Sequence, residues 1–148
     1  MSARILTLDE AQQLTGQEIG VSDWFLVTQD AINHFADLTH DHQWIHIDSE
    51  RAQRESPFHA TIAHGFFTLS LLSHLAKQVF EVQGDFKMTI NYGLNRVRFV
   101  SPVPAGSRVR ARVAVKEASA GQAIWLVTIE LEGGSKPALA AEWITRYY

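Results

Sequence analysis

The residues from Gly65 to Phe80 are apolar nearly all round a helix: Phe66, Phe67, Leu69, Leu71, Leu72, Leu75, Ala76, Val79 and Phe80. A helix of that kind has no face to offer water and must be buried. Gly84 closes it, and the hydrophobic period then changes from helical to alternating. Phe86-Met88-Ile90, Val97 and Phe99, Val109-Ala111-Val113-Val115, Trp125-Val127-Ile129-Leu131 and Leu139-Ala141-Trp143 each place apolar side chains on one face of a strand. The breaks are turn-like: Ser101-Pro102-Val103-Pro104-Ala105-Gly106, Ser119-Ala120-Gly121 and Gly133-Gly134-Ser135-Lys136-Pro137. Consecutive long strands joined by short turns predict an antiparallel sheet, with a hairpin joining the strand of Val97 to the strand of Val109. One buried helix and one long sheet cover each other only if the sheet wraps the helix. With helices first and strands after, the class is α+β. A wrapped sheet keeps exposed edges, and edges invite pairing, so a homodimer joined through its sheets is expected.

The preceding half reads as smaller pieces. Thr7 and Glu10 have capping-box spacing before a short helix that carries Leu8, Ala11 and Leu14 and ends at Gly16. Val21 to Val27 reads as a strand. Thr28 can cap a second helix with Ala31, Ile32, Phe35, Ala36 and Leu38 at helical spacing, and Asp48 can cap a third turn before Pro57. The 148 residues suit one domain, 1–148, without repeat or linker. A net charge of −3 argues against a polyanion binder, and no nucleic-acid motif appears. No cysteine is present, which removes disulfide and thiolate chemistry. No run reaches the ~20 apolar residues of a membrane helix, and the N-terminus shows no apolar signal core, so a cytoplasmic domain is expected.

Three groups of residues could carry chemistry. Asp41 and His46 bracket His42-Gln43-Trp44-Ile45 in a stretch that reads as a loop. A carboxylate near an imidazole can orient it and tune its proton affinity, and either can move a proton near neutral pH. The plainer reading is that both are solvated or capping groups. Trp44 and Ile45 favour a loop that docks on the core. His64-Gly65 forms the second group: a glycine at a helix start admits close approach to backbone N–H groups that favour a developing negative charge. Its plainer reading is a cap beside a packed histidine. The third group is arginines: Arg96 and Arg98 share a strand face by parity, as do Arg108, Arg110 and Arg112 on the next strand. They read either as contacts to a phosphate-bearing ligand or as an outer face balanced by acidic neighbours. A metal is not expected, because His40-Asp41-His42 need not converge and neither a His-Glu-x-x-His pattern nor a cysteine is present.

The run Phe35-Ala36-Asp37-Leu38-Thr39-His40-Asp41-His42-Gln43-Trp44-Ile45-His46-Ile47-Asp48 resembles the hydratase motif of the MaoC-like dehydratases, which include the (R)-specific enoyl-CoA hydratases. Taken with Thr61-Ile62-Ala63-His64-Gly65 and Asn91-Tyr92-Gly93-Leu94-Asn95-Arg96-Val97-Arg98-Phe99, it is similar to the nodulation protein N-like branch. The resemblance implies a hot-dog fold, a long antiparallel sheet around a central helix, usually dimeric. It implies Asp41 and His46 as the catalytic dyad and Gly65 N–H as the group that binds the thioester oxygen. Ser73 falls at a place near the catalytic groups, and His64 falls in a supporting role. Gln43, Arg96, Arg98 and Arg110 stand as substrate-binding candidates. The implied reaction is reversible hydration of trans-2-enoyl-CoA to (R)-3-hydroxyacyl-CoA, with no cofactor beyond the coenzyme A of the substrate. A hot-dog thioesterase, a non-catalytic acyl-binding module and a subunit that needs a partner protein are the alternatives. The departure from the family pattern is His40, which stands where many members have glycine. If that glycine has positive φ, histidine is a costly fit.

Overall fold

The computed structural model describes residues 2–148. Four long antiparallel strands form most of the sheet: β5 (Thr89–Phe99), β6 (Arg108–Ser119), β7 (Gln122–Leu131) and β8 (Leu139–Tyr147). Before them come β1 (Arg4–Leu6), β2 (Glu18–Val21), β3 (Phe25–Leu26) and β4 (Phe80–Val82). The strand order is β2-β6-β7-β8-β5, with β3 also on β6, while β1 and β4 pair in parallel as a separate ribbon. The alternation in the sequence becomes two faces. Val109, Ala111, Val113 and Val115 of β6 and Trp125, Val127 and Ile129 of β7 are buried under the central helices, with the arginines of β6 on the other face.

The helices are α1 (Leu8–Gln13), α2 (Gln29–Thr39), α3 (Trp44–Ile47), α4 (Ser49–Glu55), α5 (Gly65–Ser70) and α6 (Leu72–Val79). The expected caps form: the Thr7/Glu10 box on α1, Thr28 on α2 and Asp48 on α4. Among the described residues no helix is long and apolar enough to cross a membrane.

The structure corrects the sequence reading at four places. The central helix is two helices joined at Leu71, whose N–H is shared between Phe67 O and Thr68 O, the tightened turn of a helix end. It also stops at Val79, because Phe80–Val82 leave to pair with β1. The single strand expected over Val21–Val27 is interrupted where Ser22 uses its own hydroxyl to accept from Ala111 N.

The fourth correction matters most for the site. There is no β5–β6 hairpin: β5 pairs with β8 and forms one edge of the sheet. With neighbouring strands about 4.8 Å apart, the link from β5 to β6 must cross roughly 14 Å of sheet. Residues 100–107 do so, and on the way they bond to the segment that leads into α5. Ala63 N donates to Val103 O at 2.8 Å and Ala105 N donates to Thr61 O at 2.9 Å. The crossover therefore fixes the backbone just before His64 and Gly65.

Candidate active site

Asp41 and His46 are delivered by two consecutive turns of chain. α2 ends at His40, whose φ of 60° is left-handed and turns the backbone sharply into Asp41. The Asp41 carboxylate accepts from Gln43 N at 3.3 Å, and Gln43 O accepts from His46 N at 3.0 Å. The stretch read as a loop thus contains the single turn α3, which turns His46 inward while Asp41 stays exposed. Trp44 and Ile45 are half-buried, as a docked segment requires.

His46 is 7% exposed, and its Nδ1 lies 2.7 Å from Ile62 O. A carbonyl can only accept, so Nδ1 carries the proton and Nε2 presents a lone pair. Burial pushes His46 below the ordinary histidine value of 6.5, and the neighbouring His64 pushes the same way; the bond to Ile62 O and the Asp41 carboxylate oppose this without cancelling it. His46 is therefore neutral near pH 7, the state of a general base.

His64 ties the parts together. It is 3% exposed, donates from Nε2 to Asp41 O at 3.0 Å, and stacks on His46 with centroids 3.9 Å apart and planes 24° apart. Phe35 packs against its ring at 4.9 Å. Its Nδ1 is a buried lone pair without a hydrogen-bond partner among the described residues. Asp41, His46 and His64 each offer an atom within 4.8 Å of the others. Yet imidazole lone pairs lie in the ring plane, so near-parallel stacked rings aim them side by side and not at one point. That arrangement suits proton handling better than a shared ligand set.

Gly65 is the first residue of α5, and its N-cap, His64, makes no side-chain capping bond. First-turn N–H groups have no intrahelical acceptor, so this helix start is open to an anion. A Cβ on Gly65 would stand 3.0 Å from the Phe99 ring, which explains the glycine at that place.

The remaining sequence candidates divide. Ser73 lies on α6, accepts from Asn91 Nδ2 at 3.3 Å and lines two adjoining cavities between the central helices and β5–β8. Gln43 is exposed and works through its backbone. Arg96 and Arg98 are exposed on β5, but a bulge between Asn95 and Arg98, with Arg96 at φ 53°, breaks the parity that placed them on one face. Arg110 is not brought to the site. It pairs with Glu130 at 2.6 Å and stacks over Trp24, while Arg108 pairs with Glu132 and Arg112 with Glu130 and Glu18. Burial alone would raise Glu130; the hydrogen bonds from Arg110 and Arg112 outweigh it and hold that carboxyl below its ordinary range. This is the acid-balanced outer face, and the opposed arginines of the expected hairpin never meet.

Two residues outside the sequence candidates, Gln29 and Thr61, complete the site. Gln29, on the first turn of α2, donates from Nε2 to His46 O at 2.7 Å and accepts at Oε1 from the Thr61 hydroxyl. One amide thereby holds the His46 turn against the segment that leads to Gly65. Its partners lie 17 and 32 residues away, which no local pattern can reveal.

The sequence profile of the MaoC-like domain matches residues 10–133. The chain belongs to the MaoC-like dehydratase family. It is 54% identical over 137 residues to 3-hydroxyacyl-thioester dehydratase Z of Mycobacterium tuberculosis, covering 89% of each chain. It is 50% identical over 145 residues to Nodulation protein N of Rhizobium leguminosarum bv. viciae, covering 95% of this chain and 90% of that one. Among solved structures, the (R)-hydratase from A. caviae involved in PHA biosynthesis superposes with a TM-score of 0.74 at 26% identity, over 89% of this chain and 95% of that one. The wrapped sheet and central helices of this MaoC-like chain are thus the hot-dog fold.

Proposed function

We propose that this protein is a hydro-lyase that adds water reversibly to trans-2-enoyl-CoA, giving (R)-3-hydroxyacyl-CoA. The observation that carries the reading is the meeting of a carboxylate, a neutral imidazole with a free Nε2 and an open helix start, held by one buried histidine. The names of the dehydratase and (R)-hydratase relatives support the reaction class. In the forward direction Asp41 and His46 hold one water; His46 Nε2 takes a proton from it as its oxygen bonds to C3, the C2–C3 π pair shifts toward the thioester carbonyl, and the dyad then returns that proton to C2. The charge that builds on the thioester oxygen is received by Gly65 N–H, a contact worth about 3–4 kcal/mol where an oxyanion develops. His64 and Gln29 position these groups through the Asp41 and His46 backbones. Arg96 and Arg98 are assigned to the coenzyme A phosphates; Arg110, engaged by Glu130 and Trp24, is not. No cofactor or metal takes part in the proposed chemistry.

We further assign a homodimer. β5 is an unpaired edge, and along and beside it Ile90, Tyr92, Leu94 and Phe99, with Met88 and Phe66, are exposed apolar side chains. A long apolar edge of that kind is normally covered. Light scattering on a sizing column should give twice the 16.6 kDa chain mass; a monomer at micromolar concentration overturns the assignment. The reaction is tested by following loss of the enoyl thioester chromophore of crotonyl-CoA beside a thiol reagent. Hydration without thiol release is expected. Thiol release without hydration would make the protein a thioesterase, and neither would leave it a binding module or a subunit that needs a partner.

A further inference from the structure

In the wall of the cavity beside Ser73, the Thr145–Tyr147 pair holds one more proton than its two oxygens can share. Gly65 and Leu69 lie on α5 and Ser73 and Ala76 on α6, spaced four, four and three residues apart across the turn at Leu71. At 1.5 Å per residue Ser73 lies at most about 12 Å from Gly65 along the two helices. A smaller cavity beside Leu69 shares Ser73, Asn91 and Trp143 with one of about 670 Å³ that reaches Ala76, Thr145 and Tyr147. Gly65 itself lines neither cavity; on the thioester reading above, an acyl chain whose carbonyl is held at Gly65 N–H follows the helix face to Leu69, where the smaller cavity begins.

Phe80, Phe86 and Trp143 give the groove an apolar stretch of wall, and Lys77, Glu81, Thr89 and Asn91 also line it. Thr145 and Tyr147 add a buried pair of hydroxyls. Trp125 Nε1 donates to Thr145 Oγ1 at 2.9 Å, and the Thr145 and Tyr147 hydroxyls are 2.9 Å apart. Thr145 is 1% exposed and Tyr147 8%. Three protons, on the indole and the two hydroxyls, share two oxygens. The indole proton takes Thr145 Oγ1. If Thr145 then donates to Tyr147, the phenol proton is left over; if Tyr147 donates to Thr145, the threonine proton is left over. Burial pushes the Tyr147 phenol above its ordinary value, against the opposing influence of the nearby Thr145 hydroxyl and Trp125 indole, so it stays protonated. Either way one hydroxyl proton in a wall of the cavity lacks an acceptor among the described residues, and a buried donor needs one.

We propose that this cavity selects acyl chains that carry an oxygen acceptor along the tail, such as a keto, ether or hydroxyl oxygen, which takes the spare proton of the Thr145–Tyr147 pair. An all-carbon chain of the same length leaves that donor unmatched or forces it to keep a water. The expected discrimination is about tenfold, the scale of one hydrogen bond.

The test uses the full-length protein and a set of trans-2-enoyl-CoA esters of equal length, one with an all-carbon tail and the others with one oxygen moved a carbon at a time. One position should exceed the all-carbon chain in kcat/KM by about tenfold. In the Thr145→Val, Tyr147→Phe double variant the ratio should fall to near unity. Equal rates across the wild-type series, or a preference that survives in the double variant, overturns the proposal; the wild-type series decides even if that variant does not fold. Calorimetric titration with the matching saturated acyl-CoA esters reads the same preference without turnover. Failure of hydration would therefore count against the reaction, while the binding ratio still decides the tail contact.

Discussion

Replacing Asp41 by Asn separates chemistry from folding. The carboxylate is exposed, and its polar contact in the fold is the 3.3 Å bond from Gln43 N, which an asparagine Oδ1 can accept equally. The bond from His64 Nε2 goes to Asp41 O, a backbone atom that the substitution leaves in place. Stability should therefore change by no more than about 0.5 kcal/mol, the usual range for an exposed position without a special role. Catalysis should not be spared. Loss of a positioned acid/base group typically costs about 10²–10⁴-fold, or roughly 3–5.5 kcal/mol of transition-state stabilisation. The carboxylate also raises the proton affinity of His46, so any residual activity in Asp41→Asn should have its acid limb at lower pH than the wild type. The assay is kcat/KM for crotonyl-CoA across pH, beside urea unfolding of both proteins. A kcat/KM within about threefold of wild type would refute the role given to Asp41, and so would a loss matched by an equal loss of stability.

Three further outcomes follow from the same geometry. The acid limb of kcat/KM should lie below pH 6.5, because His46 is held below that ordinary value by burial; a limb above it would contradict the buried neutral base. The same shift makes stability full above pH 6.5 and lets it fall as the pH drops through that value toward the folded value, since the unfolded chain takes up the proton first; urea midpoints across pH measure this. His40→Gly should raise stability by about 0.5–1 kcal/mol in urea unfolding, because relief of a left-handed φ of 60° exceeds the added freedom of the unfolded chain. Gln29→Leu should lower both stability, by about 1–3 kcal/mol, and kcat, because it unties His46 O from the Thr61 hydroxyl; unchanged kcat would deny Gln29 a positioning role.

What could be read from sequence was what depends on near neighbours. Thr7 with Glu10, Thr28 and Asp48 announce helix starts because a cap acts across three residues. The alternation from Val109 to Val115 announces a buried face because a strand repeats every two. Asp41, His46 and Gly65 could be paired in advance only through the resemblance of their motifs. The partner of β5 is not legible in the sequence: an alternating strand fits beside β6 or β8 equally, and the proline- and glycine-bearing link over residues 100–107 reads as a turn. Nor is the break at Leu71, which no proline or glycine marks, or the stacking of His64 on His46, which needs the crossover loop to fix residues 61–63. The arginine stripe left two readings open, a phosphate contact and an acid-balanced outer face; the pairs with Glu130, Glu132 and Glu18 match the second for Arg108, Arg110 and Arg112.

The central claim is the stereospecific addition of water to an enoyl thioester at Asp41 and His46. Its most direct test is the configuration of the product formed from crotonyl-CoA by the wild-type protein, read with an (R)-specific and an (S)-specific 3-hydroxyacyl-CoA dehydrogenase in parallel. The proposed function predicts 3-hydroxybutyryl-CoA that only the (R)-specific enzyme oxidises. A product oxidised by the (S)-specific enzyme, or equally by both, would contradict it.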